Sequence, residues 1–119
     1  MKTKHVKAAW GTHTASLAAV LSNVHDVLVC TLDEAYALQD FLVGRPLMTH
    51  ERVSEEADQG SVATILAVLP ELAEAAPPGG GWSFPDDMPV EQRKAICEAW
   101  VAEVAEYVGY DTVTWDDPA

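Results

Sequence analysis

Four histidines and two cysteines are the side chains of this 119-residue chain best suited to holding a metal ion. Zinc sites take their ligands at close local spacings such as C-x2-C or H-x3-H. Among His5, His13, His25, His50, Cys30 and Cys97, only His25 and Cys30, five residues apart, come near such a spacing, so no metal centre is expected. His50-Glu51 followed by Glu55 supplies half of the H-E-x-x-H metalloprotease pattern, but Ser54 stands where the second histidine belongs. A helix start rich in carboxylates accounts for these residues better. Gly79-Gly80-Gly81 lacks the Lys-Ser/Thr of a phosphate loop and does not lead from a strand into a helix. No G-x-S-x-G elbow or other nucleophile signature occurs. The Asp86-Asp87 and Asp116-Asp117 pairs read as solvated loop ends, because an acid/base dyad needs two carboxyls in contrasting environments. The expectation is therefore a protein with no catalytic residues, no metal and no cofactor.

Charge is the stronger signal. Nineteen acidic side chains against seven basic ones give a net charge of -12. Lys2, Lys4 and Lys7 lie in the first seven positions, so from Ala8 onward only Arg45, Arg52, Arg93 and Lys94 oppose the acids, and the balance is 4 minus 19, or -15. Such a chain repels phosphates instead of releasing their counterions, which argues against nucleic acid and anionic membrane surfaces as ligands and favours a partner with a basic surface. Glu91, Glu98 and Glu106 recur at seven and eight residue spacing on the last helix, and Asp86, Asp87, Asp116 and Asp117 would extend that acidic surface. Aromatic anchors are enriched at interfaces. Trp82, in a Pro/Gly segment, is the candidate anchor here, while Trp115 beside the terminal acids is either such an anchor or packed back on the domain.

The elements that would position these residues follow from periodicity. Leu17, Leu21, Val24 and Leu28 mark one face of a first helix over about Thr14 to Val29, capped by Thr14 or Ser16. Thr31-Leu32-Asp33-Glu34 has capping-box form. It opens a second helix, Leu32 to Val43, with an apolar stripe of Leu32, Ala35, Tyr36, Leu42 and Val43 and a stop at Gly44. Thr49 can cap a third helix, whose apolar run from Ser61 to Leu69 predicts burial on most sides. Ala76-Pro77-Pro78-Gly79-Gly80-Gly81 breaks the chain and starts a loop over 76–89. Pro89 then opens a last helix with the stripe Cys97, Trp100, Val101, Val104 and Val108, ending at Gly109. Tyr110 to Trp115 alternates as a short strand whose only candidate partner is His5 to Trp10.

The predicted fold is mainly α (α+β): a single domain of about four helices with a short C-terminal strand. Residues 1–13 form a basic N-terminal segment, either an edge strand or disordered, and 14–119 the globular domain. The segment after the first lysines is polar where a signal peptide needs an apolar core, and no apolar run approaches the ~18 residues that span a bilayer. A cytoplasmic protein with Cys30 and Cys97 as buried free thiols is expected.

Several short pieces in order resemble a known group. They are Val20-Leu21-Ser22, then Tyr36-x-Leu38-x-x-Phe41-Leu42-x-Gly44-x-Pro46-Leu47-x-Thr49-His50, then Leu69-Pro70-Glu71-Leu72, and Trp100 leading to Tyr107-Val108-Gly109 and a Val-containing end. Over about Ser16 to Trp115 this pattern is similar to small uncharacterised phage and prophage proteins. It departs from them in lacking an aromatic between Leu47 and Thr49 and in its Pro/Gly insertion. The resemblance implies a phage-derived context, in which small acidic proteins often bind and disable a host protein. Joined to the charge, it gives the functional expectation: a non-enzymatic, anti-CRISPR-like inhibitor that uses an acidic surface against a host nucleic-acid-handling or defence protein. A helical structural or assembly accessory that homodimerises through the first-helix stripe is the alternative. An enzyme acting on a small nucleotide near Thr49-His50-Glu51 comes third.

Overall fold

The C-terminal strand is the centre of a sheet. In the computed structural model, which describes residues 2–8, 10–25, 29–44, 55–75 and 87–116, β3 (Thr112–Asp116) lies between β1 (Thr3–Lys7) and β2 (Thr12–Ser16), parallel to β1 and antiparallel to β2. The two N-terminal strands therefore run as a split hairpin into which the far end of the chain inserts. Alternation along β3 buries Val113 and Trp115. Trp115 sits opposite Val6 on one side and His13 on the other, and Val113 opposite Ala15. The other row is hydroxyl-rich: Thr114 faces Thr14, and their Oγ1 atoms lie 2.9 Å apart. A three-stranded sheet is more strand than the single short C-terminal one predicted, and the class is mixed α+β.

Among the described residues, four helices and one 3-10 helix share one hydrophobic core with the buried row: α1 (Leu17–Val24), α2 (Leu32–Val43), α3 (Glu55–Val68), the 3-10 helix (Pro70–Glu74) and α4 (Val90–Val108). The first helix is shorter than the predicted Thr14–Val29 at both ends. Thr14 belongs to β2, and Ser16, extended at φ -69 and ψ 154, is the N-cap, its Oγ accepting from the Ala19 N–H at 3.2 Å. At the other end Ser22 Oγ accepts from the Val29 N–H at 3.0 Å, which draws Val29 across the helix instead of along it. Leu28 lies outside the described residues.

The second helix has the predicted bounds. Thr31 Oγ1 accepts from the Glu34 N–H at 3.2 Å, and Gly44 closes the helix at φ 90. Its buried face differs from the predicted stripe: Ala35, Leu38, Gln39 and Leu42 point inward, while Leu32 is 51% exposed. Asn23 explains the rotation. Its Nδ2 donates to both Ala19 O (3.0 Å) and Ala35 O (3.2 Å), fixing the Ala35 side of α2 against α1.

The third helix runs through Gly60, and from Ser61 to Leu69 its burial is one-sided, not on most sides as the composition suggested. Ser61, Ile65 and Leu69 are buried, and Ala63, Thr64 and Ala67 face out. Alanine tolerates either environment, so the apolar run overstated the buried arc. On α4 the buried residues are Trp100 and Val104, with Cys97, Val101 and Val108 half-buried. Beyond the helix, the buried Tyr110 donates its hydroxyl to Glu71 Oε1 at 2.9 Å, tying the chain after α4 to the 3-10 helix.

Candidate interaction surfaces

At 3.6 residues per turn Glu91, Glu98 and Glu106 fall within an arc of about 80°, on the side of α4 opposite Trp100 and Val104. All three glutamates are exposed. Nineteen helical residues carry them, anchored by the buried pair, so their Cα positions are fixed. Lys94 lies beside the row on the helix, whereas Arg93, about 200° round from Glu91, is on the Trp100 side. Glu98 shares a groove of about 570 Å³ with Arg93, Lys94, Glu34 and both cysteines, and Glu106 lines a shallower depression of about 340 Å³ with Lys2.

Asp87 is exposed in the turn that leads into α4. Asp116 lies across the molecule's sheet, at the end of β3, where its Oδ2 is 3.3 Å from His5 Nδ1 with 48% of the side chain exposed. Trp82, Asp86 and Asp117 lie outside the described residues, as do the 76–81 breaker and Thr49-His50-Glu51. Trp115 is not an exposed anchor: it is 1% exposed, because the strand that bears it is central.

The remaining reactive side chains are committed structurally. His25 Nε2–H donates to Leu72 O at 2.9 Å, and its ring meets the Trp100 ring edge-on at 5.9 Å. His13 stacks on Phe41 at 5.1 Å, and burial lowers its pKa, favouring the neutral imidazole. Cys30 and Cys97 are free and half-buried, less covered than expected. Burial raises both thiol pKa values, and the charge of Glu98 adds to the rise at Cys97, so both are weak nucleophiles at neutral pH. Among the described residues no group of three or more His, Cys, Asp or Glu side chains could hold a metal ion. Among them, too, no helix is long and apolar enough to cross a membrane.

A second surface was not anticipated from the sequence. Trp10, between β1 and β2, is 45% exposed, yet its Nε1–H is held by Phe41 O at 2.7 Å. A Cβ at Gly44 would stand 3.1 Å from Trp10 Cζ2, so the glycine that ends α2 also seats the indole. Beside the ring opens an apolar groove of about 410 Å³, walled by Phe41 and Leu42 of α2, Ala67 and Val68 of α3, and Trp115. The available signal was Trp10-Gly11 set between two short polar runs with strand alternation, Thr3–Lys7 and Thr12–Ser16.

Residues 15–75 match a family model described as a domain of unknown function, DUF7736. The chain belongs to the DUF7736 family. The match takes in the end of β2, helices α1 to α3 and the 3-10 helix, and so the helical walls of the Trp10 groove. Glu91, Glu98 and Glu106 lie beyond it. No curated protein and no solved structure matches the chain.

Proposed function

We propose that this DUF7736 protein is a small binding protein of phage or prophage origin. It acts without catalysis in the host cytoplasm by covering the basic surface of a host nucleic-acid-handling or defence protein, in the manner of an anti-CRISPR inhibitor. The observation that carries the reading is the row Glu91, Glu98 and Glu106, exposed on a helix whose opposite side is anchored in the core. Three carboxylates on a rigid element lose little entropy on docking, and a net charge of -12 steers a basic partner toward them. Lys94 and Lys2 beside the row would set the register of the partner by repelling misplaced cations. Leu17 and Leu21 of the first-helix stripe are buried within the protomer, at 1% and 0% exposure, which favours the α4 face as the contact surface.

Affinity purification from a bacterial lysate across a salt titration tests the reading. A single stoichiometric protein released by raised salt is expected. Recovery of the bait alone, as monomer or self-associated, would contradict it.

A further inference from the structure

We propose that the open edge of β1 is a docking site for an extended acidic segment of a partner protein, added as a fourth strand, a function separate from the acidic face of α4. The three-stranded sheet has β1 and β2 at its edges. Helix α2 lies against β2, with Ser16 Oγ donating to Glu34 Oε2 at 3.4 Å and Phe41 stacked on His13 at 5.1 Å. By contrast β1 packs chiefly against β3, and Thr3, Lys4, His5 and Lys7 are exposed. Its backbone faces outward at alternate residues. Lys2 O accepts from the Thr112 N–H at 3.2 Å and the Ala8 N–H donates to Asp116 O at 2.8 Å, so the even-numbered residues turn their peptide groups toward β3. The N–H and C=O groups of Thr3, His5 and Lys7 therefore point away from it, and among the described residues no hydrogen bond occupies them. Such a row is a template for strand addition, in which main-chain hydrogen bonds supply affinity and flanking side chains supply selectivity.

The side chains at this edge select the occupant. Lys2, Lys4 and Lys7 are three of the chain's seven basic residues. Strand alternation sets Lys4 on the Val6 side of the sheet and Lys7 on the side of Thr3 and His5, so a strand laid along β1 meets a cation on either side. Asp116, opposite Lys7 on β3, is 3.3 Å from His5 Nδ1, and Glu106 and Asp111 line a depression with Lys2. Among the described residues neither Lys4 nor Lys7 makes an ion pair. Lysines on an open edge repel a second copy of the same edge, whereas a strand bearing carboxylates gains cross-strand attraction from them.

Fluorescence anisotropy of a labelled hexapeptide, Glu-Thr-Glu-Val-Glu-Thr, titrated with the full chain tests the assignment, with the peptide carrying lysine in place of each glutamate for comparison. Saturable one-to-one binding is expected, with the acidic peptide preferred about tenfold or more. Lys4→Glu combined with Lys7→Glu, two exposed changes, should fold as the wild type and remove that preference. Backbone pairing has a signature of its own. Methylating the peptide's amides at alternate positions blocks one edge of its strand, so of two peptides methylated at complementary positions one should bind about tenfold or more weakly and the other as the parent does. The proposal is overturned by no saturable binding of the acidic peptide, by equal binding of the acidic and basic peptides, by an acid preference that survives the double reversal, or by undiminished binding of both methylated peptides. A free chain that sediments as a dimer, and that the peptide dissociates, would overturn it as well by giving the edge to a second copy.

Discussion

Trp100 shows how one side chain can hold two elements. At 4% exposure it projects from α4 into the core and meets the edge of His25, whose own Nε2–H is bound to Leu72 O. Trp100→Ala should cost roughly 3 to 5 kcal/mol, the range for emptying a large aromatic site. Chemical denaturation reads this directly, and an unchanged midpoint would contradict the packing described. His13 makes a prediction about pH. Burial depresses its folded-state pKa below the ordinary 6.5, so its contribution to stability is present above the unfolded value and is lost as pH falls through the folded one. Relative to a His13→Gln variant, the wild type should therefore lose stability between about pH 7 and pH 5, and parallel stability profiles would contradict the assignment. Trp100 was legible in the sequence because it sits on a helical stripe. Trp10 was not, because nothing in a Trp-Gly pair tells that Phe41 O, 31 residues away, will receive its N–H.

At the scale of elements, legibility followed the local chemistry. The bounds of α2 could be read because both of its ends are determined locally, by Thr31 at the cap and Gly44 at the stop. The strand β2 could not, because Thr12-His13-Thr14-Ala15-Ser16 turns only His13 and Ala15 inward, and polar alternation of that kind resembles a capped helix start. Its pairing is also non-local, with Thr14 meeting Thr114 across the chain. The two positive-φ helix stops separate local from tertiary effects. Gly109, at φ +88, has nothing within 4 Å of a would-be Cβ, whereas Gly44, at φ +90, faces Trp10 at 3.1 Å. Gly109→Ala should cost about 1 kcal/mol from backbone conformation alone. Gly44→Ala should cost more than that and unseat Trp10, visible as a larger fall in melting temperature with a changed Trp emission. Equal falls for the two variants would contradict the close approach.

For the whole molecule, charge governs what can be bound. With -15 beyond the first seven residues, and with Lys2, Lys4 and Lys7 too few to neutralise several phosphates together, the protein should not bind duplex DNA at physiological salt. Tight, salt-sensitive retardation of a DNA fragment would contradict this. Of the proposed acidic surface, the helical spacing of Glu91, Glu98 and Glu106 was legible in advance. Its basic neighbours were not assigned to that surface: Lys2 reaches it only through the fold, and Lys94 lines the groove that Glu98 shares with the α1–α2 connection.

The central claim, that these glutamates form the contact surface for a basic partner, is tested most directly by reversing all three to lysine and comparing capture of the host protein at two salt concentrations. Exposed charges contribute on the order of 0 to 1 kcal/mol each to folding, so the variant should melt near the wild type. It should capture the partner more slowly and with a flattened dependence on salt. A folded variant that captures the partner as the wild type does, with the same salt dependence, would contradict the claim.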